Sequence, residues 1–281
     1  MKIEKRSVFW GLLLVSVFGF SQTEQVVADS VLKEKKLSWN VDIVSRYLWR
    51  GQCWGGNYVA LQPSAEYALS PKLAIGSWAT TNFKKDYFYP DNETSYKGYH
   101  EIDVYVTYQL TDFLQVQLWD YYWPSVARVE GVSNRFFNYG PTSSQTVDAM
   151  LYFDFSEGYR YPFNATISTL IAGNDYRYTK NENPKHNYTT YLELGYTFNL
   201  FQNIELLASS GVVLNNKAEY YTFADYNKPS LVNLSLKATK EIDLGGDVVM
   251  PLSLNYIHNG ATKNTDFFGK NFVVAGISFG Y

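Results

Sequence analysis

Residue types that could carry covalent or proton-transfer chemistry are scarce in this chain of 281 residues, which holds three histidines and one cysteine. A hydroxyl nucleophile needs a base within hydrogen-bond reach, yet two places beyond His100, His186 and His258 stand Ile102, Tyr188 and Gly260. His186 has Asp175, Glu182 and Lys185 near it in sequence, too thin a set for a protease centre. His258 ends an alternating apolar stretch and reads as an interfacial anchor. No spacing of His, Cys and carboxylates suits zinc, and no Gly-rich loop joins a strand to a helix to cradle phosphate. Cys53 alone rules out a disulfide scaffold or a multi-cysteine metal site. No catalytic residue, metal or cofactor is expected.

The remaining chemistry-bearing groups are charges placed opposite apolar side chains: Asp42, Arg46, Arg50, Glu66, Glu101, Asp103, Asp148, Asp154, Glu193, Glu205 and Lys237. Eight carboxylates against three bases can pair with one another or select a charged solute. The whole chain carries a net charge of −3, so it has no basic face that could release counterions from a nucleic acid.

These charges need elements that give them a common face, and the apolar residues recur with a period of two, the signature of strands. His100, Ile102, Val104, Val106, Tyr108 and Leu110 oppose Glu101, Asp103, Tyr105, Thr107 and Gln109. Val232, Leu234, Leu236 and Ala238 oppose Asn233, Ser235, Lys237 and Thr239. The pattern predicts twelve strands, at 37–50, 57–69, 73–83, 97–110, 113–123, 145–155, 161–172, 187–199, 203–214, 231–240, 248–258 and 271–281, with ten or fourteen if a hairpin is merged or split. Connections after even strands are short and those after odd strands long and polar, except a brief first one at 51–56. A soluble sandwich has no reason to sort its loops in this way, whereas an outer-membrane barrel does, with both termini in the periplasm. The fold class expected is thus all-β, a transmembrane antiparallel up-and-down barrel.

The face opposite the charges is almost free of charge, as lipid contact demands, since a mid-bilayer Arg or Lys there costs about 2–4 kcal/mol. Alternation also explains why 46% hydrophobic residues give a mean hydropathy of only −0.25. The aromatic share of 18% fits girdles at the two interfaces; Tyr47, Trp49, Tyr67, Tyr108, Tyr122, Trp123, Tyr188, Tyr196 and Phe198 stand at strand ends. Upstream, Lys2, Lys5 and Arg6 precede the apolar run Val8 to Phe20, too short to span a bilayer and shaped as a secretory signal peptide over residues 1–21. Residues 22–36 then form a periplasmic lead-in to a barrel domain at 37–281.

The final stretch places Val273, Ala275, Ile277, Phe279 and Tyr281 on one face and resembles the C-terminal signal read by the barrel-assembly machinery. The run Val44-Ser45-Arg46-Tyr47-Leu48-Trp49-Arg50-Gly51, with Leu61 to Tyr67, Ile75 to Asn82 and Glu101 to Tyr105, resembles the opening hairpins of the TorF-type porin family of Gram-negative bacteria. Where that family continues with a polar Ser-Gln turn, this chain has Gln52-Cys53-Trp54-Gly55-Gly56. The resemblance implies a porin-type barrel without an established substrate.

Two readings of the interior follow. Arg46 and Arg50 pair with Glu66 and Asp103 and fill a narrow barrel, or the acid excess lines a cation-preferring pore for small hydrophilic solutes. The outer loops offer a different function class: Tyr87, Phe88, Tyr89, Tyr96, Tyr221 and Phe223, interleaved with Asp86, Asp91, Glu93 and Asp225, suit surface recognition of sugars or proteins above a plugged lumen. Cys53, in the first outer loop, is a free thiol or a small buried hydrophobe.

Overall fold

In a computed structural model, which describes residues 36–84, 98–124, 133–156, 161–177, 183–200, 203–216, 218–222, 229–245, 249–261 and 269–280, the alternating segments become one closed wall. The residues expected to form the signal peptide and most of the lead-in, the aromatic loop residues between 86 and 96, and Phe223, Asp225 and Tyr281 lie outside the described residues.

The wall strands are β1 (Leu37–Val44), β2 (Ala60–Ser70), β3 (Leu73–Thr81), β4 (His100–Thr111), β5 (Leu114–Tyr122), β6 (Gln145–Asp154), β7 (Phe163–Gly173), β10 (Thr190–Leu200), β11 (Ile204–Val213), β12 (Ser230–Asp243), β13 (Val249–His258) and β14 (Asn271–Gly280). A small ribbon of β8 (Tyr176–Arg177) and β9 (Lys185–His186) stands apart from them between β7 and β10. All twelve wall strands pair antiparallel with their neighbours, and β14 returns to β1 through Val41↔Phe279 and Ile43↔Ile277. Closure leaves no strand edge unpaired, which is the condition for strands to cross lipid. No helix of the described residues is long and apolar enough to cross a membrane.

The two faces divide as the alternation predicts. Ile102, Val104, Val106, Tyr108 and Leu110 lie open on the outer surface of β4, while Glu101, Asp103 and Thr107 between them are buried inside. The outer faces of β12 to β14 repeat this with Leu234, Leu236, Leu252, Leu254, Tyr256 and Val273. At one end, here the turn end, tight turns are closed by side chains: Ser70 Oγ accepts from the Leu73 amide (3.1 Å), and Asp243 Oδ1 from that of Gly245 (2.8 Å). The other end carries the long connections.

The first connection departs from expectation. β1 stops at Val44, and residues 45–59 leave the wall instead of continuing a strand to Arg50. The alternation runs on through Tyr47 and Trp49, but these positions lack a wall partner beyond the Ser45 amide, which donates to the Ala275 carbonyl (2.8 Å). Trp49 and Gln52 instead exchange two 2.8 Å amide–carbonyl bonds with each other. Arg50 (φ 46) and Gly51 (φ 82) between them are both left-handed, the signature of a type I′ hairpin turn. Eight strands make a barrel that wall side chains alone just fill; twelve enclose more space, and this hairpin occupies it. Tyr47 and Trp49 are therefore buried inside and do not belong to the lipid girdle, whereas Tyr67, Tyr108, Tyr188 and Tyr196 are exposed at strand ends.

Candidate functional site in the barrel lumen

The inserted hairpin meets the wall at a layer of aromatic and small apolar side chains toward the loop end. Tyr47, Trp49, Trp78, Trp119, Tyr121, Met150, Leu170, Tyr191, Val213 and Val232 form one buried cluster that reaches from β3 around to β12. A second inward segment completes it. The helical turn Glu219–Thr222 places Tyr221, wholly buried, between Trp49 (5.3 Å between ring centroids, stacked) and Tyr191 (5.6 Å, stacked). Tyr221 is thus a filler of the lumen and not a surface loop residue.

Arg50, at the hairpin tip, is buried in this layer. Its Nη2 donates to Asp148 Oδ2 (3.1 Å), and its Nη1 to Ser168 Oγ (2.9 Å) and the Tyr221 hydroxyl (2.5 Å). Its guanidinium also lies 4.7 Å from the Trp49 ring centroid and 4.6 Å from that of Tyr191. Asp148 accepts further bonds from Tyr121 (3.1 Å) and Ser168 (2.7 Å). The arginine's partner is therefore Asp148, not Glu66 or Asp103, because the wall stops supporting the chain at Val44 and the turn carries Arg50 across the lumen to β6. A one-residue bulge in β12 opposite Gly211 and Val212 turns Val232 inward, contrary to its expected lipid-facing position, and brings its carbonyl to the hairpin. A Cβ on Gly51 would lie 1.9 Å from that oxygen, so only glycine fits there.

The other candidate residues lie as follows. Glu101 accepts from the Tyr47 (3.0 Å) and Tyr99 (2.9 Å) hydroxyls, so it anchors the inserted segment to β4. Asp103 is buried and accepts from the Tyr122 amide (3.3 Å). Glu193 accepts from Asn233 Nδ2 (2.9 Å) and from Tyr191. Glu66 meets the Tyr105 hydroxyl. Asp154 accepts from Ser156 at the turn end. Glu205 and Lys237 attract one another across the β11–β12 ladder. Asp42, Arg46 and Lys237 face a recess, partly open to solvent, beneath Tyr47 and Leu48. The residues of this recess and of the filled layer share one alternating face, so periodicity in the sequence does not distinguish them.

Cys53 is packed with Leu48, Ile257 and Phe272, and its Sγ donates to the Gly56 carbonyl (3.4 Å). Burial pushes its thiol up to about 11, against the opposing effect of the Arg46 charge. At the loop end, burial raises the Asp175 carboxyl although Thr189 donates to it twice (2.6 and 2.7 Å). The His186 ring lies tilted against Tyr188 (4.5 Å between centroids). Among the described residues, no group of three His, Cys, Asp or Glu could hold a metal ion.

A family model described as a bacterial protein of unknown function (Gcw_chp) matches residues 31–245. The chain belongs to the Gcw_chp family. Its match takes in the inserted hairpin, Asp148 and the β12 bulge, so the lumen layer is built within the family's own span. No curated relative matches the chain. Among solved structures it is similar to the NanC porin (10% identity, 86% of this chain and 98% of that one, TM-score 0.46). It is also similar to an outer membrane channel from Pseudomonas putida F1 (8%, 89% and 99%, TM-score 0.43). LpxR from Salmonella typhimurium is a further match (11%, 87% and 99%, TM-score 0.41).

Proposed function

We propose that this Gcw_chp protein is an outer-membrane channel for small hydrophilic solutes whose constriction is its own inward-folded first loop. The observation that carries this reading is the split between wall and filling. Toward the loop end, residues 47–53 and Tyr221 fill the lumen against the wall side chains Trp78, Trp119, Tyr121 and Tyr191. Below them the wall stays polar, with Asp42, Gln62, Gln117, Thr166, Ser209, Asn255 and Ser278 facing inward. In this reading the turn end is periplasmic and both termini lie there. Residues 1–21 are a removed leader, and the C-terminal strand with Phe279 and Tyr281 is read by the assembly machinery. We assign the barrel no catalytic step.

The pore-lining set proposed for ion selection is Asp42, Arg46, Glu66, Asp154, Glu193, Glu205 and Lys237. Glu101, Asp103, Asp148 and Arg50 are engaged in the constriction. Five acids against two bases favour cations. Planar-bilayer recordings test this: the full chain is expected to conduct weakly with reversal potentials displaced toward K⁺, and replacing residues 46–56 with a Gly-Ser linker to raise conductance several-fold. Anion selectivity overturns the ion preference. A barrel that stays closed even without the hairpin, while intact cells bind glycans through its loops, favours the alternative of a plugged recognition barrel. The fully buried Arg50–Asp148 pair is what recommends that alternative.

A further inference from the structure

We propose that the cavity beneath Tyr47 and Leu48 is a binding site for a small zwitterion carrying a carboxylate and an ammonium, such as an amino acid. The inference rests on the channel reading and names the solute class that channel would take.

Three observations converge on it. First, Asp42, Arg46, Gln62, Lys237 and Asn255 line one recess partly open to solvent, the concave setting with a few convergent polar groups in which small ligands bind. It is also roofed by Tyr47 and Leu48 of the inserted segment and not by the wall. Second, the cavity faces charges of both signs, Asp42 on β1 against Arg46 on the inserted segment and Lys237 on β12, yet among the described residues no ion pair joins Asp42 to Arg46. Asp42 is held instead by a 2.8 Å bond from its neighbour Asn40. Asp42 is buried, Arg46 is half-buried, and Lys237 is drawn to Glu205 as well; an acid and a base that face one recess without pairing complement a ligand that bears both charges. Third, polar atoms at the site have no partner. Arg46 Nε, a donor, and Asn255 Oδ1, an acceptor on a side chain only 7% exposed, are both buried without a hydrogen bond. Buried polar groups are rarely left so. A carboxylate between Arg46 and Lys237 satisfies the donor, and an ammonium near Asp42 and Asn255 satisfies the acceptor.

Three probes of one shape separate the charges: alanine carries both, lactate only the carboxylate, and alaninol only the ammonium. Calorimetric titration of the full, detergent-folded chain is expected to show alanine binding at least tenfold tighter than either. Arg46→Gln should weaken alanine and lactate about tenfold and leave alaninol unchanged. Asp42→Asn should weaken alanine and alaninol and leave lactate unchanged. Because either substitution could disturb folding, Ser253→Leu, which fills the cavity without touching a charge, should abolish binding of all three with an unchanged circular dichroism melt. Equal binding of the three probes, or alanine affinity unmoved by Arg46→Gln, overturns the proposal. Alanine binding to a barrel that never conducts would retain the site and refute the channel instead, whereas a conducting barrel indifferent to the probes does the reverse.

Discussion

Arg50 illustrates how one side chain ties a loop to a barrel wall. Buried ion pairs add little over a well-packed apolar pair, but breaking one partner strands a charge at about 3–5 kcal/mol. Arg50→Ala is therefore expected to lose about that much stability against urea in lipid vesicles, because Asp148 remains buried. The double replacement Arg50→Met with Asp148→Leu should recover most of it. A double-mutant cycle with no coupling would show that the pair is incidental. Cys53 gives a pH-dependent counterpart. Its thiol, held near 11 by burial, binds its proton more tightly in the fold than in the unfolded chain, where roughly 8.5 is usual. The stability it contributes is complete below pH 8.5 and is lost as pH rises toward 11. Maleimide labelling at pH 8 should accordingly be slow on the folded barrel and fast in denaturant; equal rates would contradict its burial.

At the scale of elements, the type I′ hairpin at Trp49 to Gln52 depends on the β12 bulge that receives it. Gly51→Ala forces a Cβ against the Val232 carbonyl at a left-handed φ. The expected outcome is a displaced hairpin with an intact wall: higher bilayer conductance, an unchanged far-ultraviolet dichroism spectrum, and faster protease nicking within residues 45–56. Conductance identical to the parent would show that the hairpin is not the constriction. β1 also shows where alternation misleads. Tyr47 and Trp49 continue the pattern of Leu37, Trp39 and Ile43, and periodicity cannot tell a lipid-facing aromatic from one folded into the lumen, since both alternate with polar neighbours.

For the whole molecule, the closed ladder and its uncharged outer band make the protein's stability a matter of lipid as well as of packing. Val104 sits near the middle of β4 with its side chain outward. Val104→Arg should destabilise folding into phosphatidylcholine vesicles by about 2–4 kcal/mol, and much less in detergent, where the belt adapts around a charge. An equal loss in both media would remove the bilayer from the explanation.

Strand number, the alternation of short and long connections and the uncharged face were legible in the sequence, because each follows from a rule local to the chain: period two, turn composition and the cost of charge in lipid. The acids and bases at strand positions were legible as a face for the same reason. What only the tertiary structure decided was how the interior is used. A barrel of twelve strands leaves room that wall side chains do not fill, and that room is taken by Tyr47, Trp49, Arg50 and Tyr221, residues far apart in sequence whose meeting depends on closure and on a bulge. The pairing of Arg50 with Asp148, and the separation of Asp42 from Arg46 across a cavity, are set by that long-range geometry.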